Sequence, residues 1–367
     1  MKKLRRRVFI KTASAAVAAV STGMLVSCNN QKETKTISIN LGKTYEWKMV
    51  TSWPPRFPIL GEYAGKIAEW IDKASSGRMK IHVYGGGELV PALEVFDSVS
   101  FGVAEMGHSV AYYWAGKAPA AQFFASVPFG MNAREMNAWL YFGGGLELWR
   151  ELYADFNLYP FPSGNTGSQM GGWFNKEITT IKDLRGLKIR MPGLGGKVIT
   201  KAGATSVLSP GGELYTNLER GVIDALEWIG PYHDYLMGFH KIAKYYYFPG
   251  WHEPGSTLEL MVNKDAYEEL PDDLKTIIKA AAEASNTLIL SAFDAKNTEY
   301  YLKMQYEENV NFRKFPDEVI KSLKFFSEQV INEIVAKDEM SRKAYESYTA
   351  FKKKINGWFD ISERNYI

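Results

Sequence analysis

From Tyr45 onward, short β-rich runs alternate with segments whose apolar residues recur at helical spacing. WKMVTSW (47–53) reads as a strand, IAEWIDKAS (67–75) as an amphipathic helix, MKIHVYGG (79–86) as a second strand, and LEVFDSVSFG (93–102) as a helix that Gly102 ends. A second series starts near Asn165. QMGGWFN (169–175) predicts a strand, LKIRMPG (187–193) a strand leading into a helix, and GGELYTNLERGVIDALEW (211–228) a helix running into a strand. Strands separated by helices imply a mostly parallel sheet with helices on its faces. Two such series without a close internal repeat imply two similar layers.

After Gly255 the strand TLELMVNK (257–264) precedes a long helical region from Pro271 to the end, interrupted near Pro316. Its Lys, Glu and Asp residues read as solvated faces, its Leu, Ile, Phe and Tyr residues as the inward side. A chain that builds one layer, crosses to another and returns makes a two-lobed α/β molecule with a cleft, a preferred place for small ligands. On this reading 44–164 with 255–299 form lobe I. Residues 165–254 with 300–367 form lobe II and the C-terminal helices, with hinges near Gly164 and Gly255.

Residues 1–28 stand outside that pattern. Lys2, Lys3, Arg5, Arg6 and Arg7 precede an apolar run from Ala13 to Val26, short of the roughly 20 residues a membrane span needs, so the segment reads as an export signal. Arg6-Arg7-Val8-Phe9-Ile10-Lys11 is similar to the twin-arginine export consensus. Leu25-Val26-Ser27-Cys28 is similar to a lipobox, whose cysteine is lipidated and becomes the mature N-terminus. Cys28 is the only cysteine in 367 residues, which excludes a disulfide or cysteine metal site within the chain. Residues 29–43 are polar and aperiodic, as a tether is. Charge changes with the signal. The whole chain is +3, but six bases lie in residues 1–27, and without them 38 bases face 41 acids, a net charge of −3. The main support for a nucleic-acid partner goes with them. The remaining length, ~330 residues, exceeds one ordinary core and again favours two domains.

Catalytic signatures fail. His82, His108, His233, His240 and His252 form no HExxH pair, residues 193–198 lack the spacing of a phosphate loop or dinucleotide fingerprint, and no GxSxG elbow occurs. What the chain offers is anion chemistry. DLRGLKIR (183–190) ends a short strand in Arg190 just before Met191-Pro192-Gly193 turns into a helix, and the carboxyl end of a strand is where α/β ligands bind. A guanidinium grips a carboxylate with two parallel hydrogen bonds. A surface ion pair is the plain alternative for a single arginine. Glu227 ends an apolar strand, where an unpaired carboxylate is costly to bury and a cation would offset the cost.

DLRGLKIRMPG (183–193) closely resembles the hallmark of the extracytoplasmic solute-binding proteins of tripartite ATP-independent (TRAP) transporters. The likeness continues through GELVPALEVFDSVSFGVAEMGHSVAYYWAGK (87–117), FPSGNTGSQMGGWF (161–174), GVIDALEWIGPYHD (221–234) and YYYFPGWHEPG (245–255). Together these stretches point to the branch that binds 2-oxo acids and related 2-hydroxy acids with a metal cation. The resemblance implies a periplasmic-binding-protein-like fold, no enzymatic step, and a membrane-anchored, extracytoplasmic location. It assigns the ligand carboxylate to Arg190 and a ligand contact to the Tyr112 phenol. GNTGSQMGGWF (164–174) would bend around ligand and cation, Asn165 donating to the keto oxygen and Gln169 offering its carbonyl to the metal. Asn165 as a simple turn former is the alternative. Glu227, the Trp228 backbone carbonyl and Glu253 complete an oxygen set suited to sodium or calcium rather than zinc or copper. The Trp228 indole and Trp53 would wall the cleft, core packing being the commoner role for a tryptophan. His252 and Pro254, beside Glu253, depart from the branch pattern.

The implied partners are a short carboxylate and a TRAP membrane permease. A homodimer through the C-terminal helix fits the amphipathic stretch after Lys337. Three other readings stay open here: lactate with calcium in place of a 2-oxo acid, a metal-dependent lyase or hydrolase using Glu227 or Glu253 as base, and a sensory receptor feeding a kinase.

Overall fold

Two mixed β-sheets carry the chain. The computed structural model describes residues 42–308, 310–362 and 364. The export segment, Cys28 and the tether up to residue 41 lie outside the described residues. The chain first forms β1 (Tyr45–Thr51), α1 (Leu60–Ala74), β2 (Met79–Tyr84), α2 (Val95–Ser100), β3 (Met106–Ser109), α3 (Ala121–Ala125), α4 (Ala133–Phe142), α5 (Gly145–Ala154) and β4 (Leu158–Asn165). It then forms β5 (Gly172–Phe174), β6 (Lys188–Arg190), α6 (Gly193–Lys201), β7 (Thr205–Val207), α7 (Leu214–Glu219), β8 (Ala225–Leu226), α8 (Pro231–Leu236) and β9 (Tyr245–Phe248). It returns through β10 (Thr257–Asn263) and α9 (Lys264–Glu268) into α10 (Asp272–Tyr306), β11 (Phe312–Lys314), α11 (Asp317–Val335) and α12 (Glu339–Ile361).

The first sheet has the order β2-β1-β3-β10-β4, the second β11-β9-β5-β8-β6-β7. Period-two alternation explains the first sheet's packing: Trp47 and Met49 of β1 leave the same face and are buried with Ile67 and Ile71 of α1 and Leu274 and Ile278 of α10. Each sheet is mostly parallel, as expected, with a single reversed strand. β10 runs antiparallel to β3 and β4, and β5 antiparallel to β8 and β9, while β1 with β2 and β3, β6 with β7 and β8, and β11 with β9 are parallel. The reason is connectivity. Three connections cross between the sheets: β4 to β5 and β9 to β10 do so with no helix to carry the chain back, so β5 and β10 run against their neighbours, whereas β10 to β11 crosses through α9 and α10 and β11 runs parallel to β9.

That edge positions the site. Arg190 ends β6 opposite Leu226 of β8, and Trp173 of β5 pairs with the same Leu226, which sets Glu227 beside the start of β5. Gly172 holds φ at 110°, and a Cβ there would sit 2.7 Å from the Leu226 carbonyl oxygen, so glycine is what lets β5 approach.

The C-terminal region differs from one interrupted helical run in two ways. Residues 312–314 form a short strand against β9, and α12 begins after a break following α11. α10 runs unbroken through the expected lobe boundary at residue 299 and packs on β4 and α1 as well as on α8. α11 packs on α6, whereas α12 packs on α3, α4 and α5, on the first sheet's side rather than with the second as expected. Its apolar face explains this: the Tyr348 ring meets Trp139 edge-on at 5.2 Å, and its hydroxyl accepts the Met131 N–H at 2.5 Å. Among the described residues no helix is long and apolar enough to cross a membrane.

Candidate functional site

Arg190 is 1% exposed, a burial that a guanidinium tolerates only when paired. Its Nη1 donates to the Glu227 carbonyl at 2.6 Å and to Glu227 Oε1 at 2.5 Å. Nη2 donates to the Tyr113 hydroxyl at 3.4 Å, and the guanidinium lies 5.0 Å from the Trp228 ring centroid. Burial works against its charge, but Glu227 and the groups around it more than offset that, and the net shift of its pKa is upward.

The second oxygen of Glu227 faces His252 Nε2 at 3.0 Å. Glu253, in the turn after β9, accepts from Gln169 Nε2 at 2.8 Å, and Gln169 also donates to Thr166 Oγ1 at 3.0 Å. Burial first, then the neighbouring charge of Glu227, pushes the Glu253 carboxyl above its ordinary range. Ligating atoms of Glu227, His252 and Glu253 all lie within 4.8 Å of one another. Two buried carboxylates thus stand near one guanidinium, which pairs with Glu227. Gln169 Oε1, Trp228 Nε1, Arg190 Nε and His252 Nδ1 are all buried without a hydrogen-bond partner. Such atoms are costly in a finished core.

This donor set fits a hard cation. Glu227, Glu253 and the Gln169 carbonyl supply oxygen, with a surplus of negative charge to meet it. The Gln169 amide N–H faces Glu253, since a carboxylate accepts, and the carbonyl oxygen expected to serve a cation is the unpartnered end. His252, which the sequence reading passed over as a departure from pattern, instead orients Glu227. Its adjacency to Glu253 was the available signal.

Tyr112 and Tyr113 both stand beside this group. The Tyr113 hydroxyl, rather than that of Tyr112, reaches Arg190. Tyr112 packs edge-on to Tyr113 at 5.1 Å, and burial, then the charge of Glu253, holds its phenol well above the usual pKa. Both line a cavity of about 590 Å³ with Met191, Pro192 and Gly193. Gly193 matters there, because a Cβ at that position would come within 3.0 Å of Tyr112.

Asn165 takes the turn-forming role. Its Oδ1 accepts the Gly167 N–H at 2.9 Å and its Nδ2 donates to Thr257 Oγ1 at 3.3 Å, which ties β4 to β10. Trp53 is buried, and its side chain contacts His108: the indole N–H donates to His108 Nδ1 at 2.8 Å. Cys28 lies outside the described residues.

A family model described as bacterial extracellular solute-binding protein, family 7, matches residues 49–338. A monocarboxylate 2-oxoacid-binding periplasmic protein of Nostoc sp. is 42% identical over 366 residues, which is 99% of this chain and 98% of the relative. The solved TRAP periplasmic solute-binding protein of Pseudoalteromonas atlantica, with bound sodium and pyruvate, is 42% identical with a TM-score of 0.86, covering 88% of this chain and 98% of its own. That of Colwellia psychrerythraea, with bound calcium and pyruvate, is 44% identical with a TM-score of 0.86, covering 88% of this chain and 99% of its own.

Proposed function

The chain belongs to the bacterial extracellular solute-binding proteins of family 7, and on that premise we propose that it binds a short 2-oxo monocarboxylate such as pyruvate together with sodium or calcium and delivers it to a TRAP membrane permease. The family and its relatives serve transport and are not enzymes. The observation that carries the ligand reading is the buried group of Arg190, Glu227 and Glu253, one fixed cation against two carboxylates, with the Gln169 carbonyl oxygen unpartnered beside them.

The roles follow from charge. Arg190 is the only guanidinium in this group and pairs with the ligand carboxylate, exchanging its Glu227 partner for it. Glu227, Glu253 and Gln169 hold the metal, which supplies positive charge to the keto and carboxylate oxygens of the ligand. His252 keeps Glu227 in orientation, and the Tyr113 hydroxyl lies ready beside Arg190. A 2-oxo acid fits because it presents two oxygens in chelating position, whereas acetate presents none beyond its carboxylate. The lobes are proposed as 44–164 with 255–299 and 165–254 with 300–367, α10 serving both and α12 strapping back to the first. Twin-arginine export and lipidation at Cys28 belong to the same proposal and rest on the motifs alone.

Calorimetry of the exported chain with pyruvate, lactate, acetate and propionate, each with sodium, calcium or chelator, tests it. Pyruvate is expected to bind far more tightly than acetate and to lose affinity when the cation is removed. Equal affinities for pyruvate and acetate, or indifference to chelator and sodium alike, would overturn the chelation reading.

A further inference from the structure

Residues 54–59 leave the first sheet and touch the second lobe before α1 begins. Arg56 and Ile59 hold left-handed backbone with φ of 54° and 57°, a conformation that is costly for a β-branched residue and persists only where its surroundings impose it. Part of that imposition is local. The Phe57 carbonyl accepts the N–H groups of Gly61 at 2.9 Å and Glu62 at 3.0 Å, which satisfies free donors at the start of α1. Gly85 leaves the loop its place, since a Cβ there would lie 2.6 Å from Pro55.

The result is a set of contacts between lobes. The Phe57 ring meets His233 of α8 with centroids 4.7 Å apart and meets the Trp228 indole edge-on at 6.2 Å. His233 Nε2 lies 2.8 Å from the Pro58 carbonyl oxygen. Burial pushes the His233 pKa down to about 3, so the ring is neutral and its Nε2–H tautomer donates to that carbonyl. Trp228 in turn covers the guanidinium of Arg190. The chain of contacts runs from a strained loop of one lobe to the anion-binding residue of the other.

The geometry points to Phe57 and His233 as positioning residues that fasten residues 54–59 to α8 and hold Trp228 over Arg190, so that they slow release of the bound carboxylate without touching it. This rests on the reading that Arg190 binds the carboxylate. Neither residue lies in the group that holds ligand or metal. Their effect is therefore on how long the lobes stay together, which appears in the dissociation rate and leaves encounter with the open cleft unchanged.

The test uses the full described chain with pyruvate and calcium in stopped flow. Phe57→Ala and His233→Leu are expected to raise the release rate by about tenfold while changing the association rate by less than about threefold. His233→Gln, whose amide can still donate to the Pro58 carbonyl, is expected to recover most of that loss, which a merely structural role of the ring would not allow. Should Phe57→Ala fail to fold, Phe57→Leu keeps the apolar volume and loses the edge contacts. A second measurement needs no ligand: amide exchange in residues 57–63 is expected to be faster in His233→Leu than in the parent. Faster exchange in His233→Leu, together with a parent that binds no pyruvate, would fault the ligand reading and uphold the fastening. Unchanged release and unchanged exchange in His233→Leu would overturn it.

Discussion

Glu259 in the first sheet and the pair Glu227 and Glu253 at the edge of the second pose one physical problem, a carboxylate removed from water, and answer it in opposite ways. Glu259 is fully buried on β10, and each oxygen has a rigid aromatic donor, Trp114 Nε1 at 2.6 Å and the Tyr153 hydroxyl at 2.7 Å. Its partners are complete and neutral. Glu227 and Glu253 have between them an arginine, a histidine and an amide, and four buried polar atoms beside them have no partner. A finished network is built to stay as it is. An unfinished one leaves polar atoms without partners, and on the proposed reading those are the atoms that ligand and cation would engage.

The largest break in that contrast comes from removing a charge that another charge needs. Glu227→Leu leaves the buried Arg190 without its main counter-charge, and the loss of unfolding free energy is expected to be about 3–5 kcal/mol in urea titration. A ligand carboxylate, which can pair with Arg190, is expected to recover part of that loss by mass action. A loss below about 1 kcal/mol would mean that Tyr113 and backbone carbonyls satisfy the guanidinium by themselves.

The finished network is expected to show itself through pH. Burial pushes the Glu259 carboxyl up to about 7, against the two hydrogen bonds that favour its ionised form. A folded pKa above the unfolded one means that the folded chain holds the proton longer, so this contribution is complete below pH 4.5 and is lost as pH rises through 7. Glu259→Gln cannot ionise and is expected to flatten the stability profile across that window by up to about 3 kcal/mol. An unchanged profile in the variant would assign the pH dependence to the other carboxyls that burial pushes up to about 7, Asp234 and Glu253.

The two halves of the unfinished network are separable. Arg190→Lys keeps the charge and loses the planar fork, so ligand affinity is expected to fall by about 1.5–3 kcal/mol with cation binding intact. Glu227→Gln weakens the cation first and the ligand through it. Raised sodium or calcium is then expected to restore the Glu227 variant and not the Arg190 variant. Calorimetry that finds both restored, or neither, would merge the two roles into one.

What the sequence could reveal of this contrast depended on range. β1, β2 and the β6–α6 unit were legible because their periodicity is local, and Arg190, Gln169, Glu227 and Glu253 because each sits in a motif that resembles a known family. Strand direction in β5 and β10 was not legible, since it depends on which sheet a crossing strand joins. β8 was legible as the strand that ends the 211–228 run, whereas β11, lodged in what reads as one interrupted helical region, was not. His252 on Glu227, Tyr113 on Arg190, and the Trp53 link to His108 are spatial pairings between distant segments. The finished network around Glu259 left no trace at all: a lone acid in TLELMVNK reads as the polar face of a strand until Trp114 and Tyr153 are brought to it.

The smallest expected effect decides which network Asn165 belongs to. Its side chain closes a turn with the Gly167 N–H and reaches Thr257 on β10, which places it with the finished kind although it borders Gln169 and Thr166. If that is its whole role, Asn165→Ala removes one turn hydrogen bond and one cross-strand tie, and unfolding free energy is expected to fall by about 1–2 kcal/mol. Pyruvate affinity, measured well below the melting transition, is then expected to stay within about threefold of the parent, because no ligand contact has been deleted. Asn165→Asp sharpens the distinction, since the carboxylate still accepts from Gly167 but can no longer donate. Retained stability with a loss of affinity beyond about tenfold in the Asp variant would show that the second amide hydrogen serves the keto oxygen, and would move Asn165 into the exchanging network.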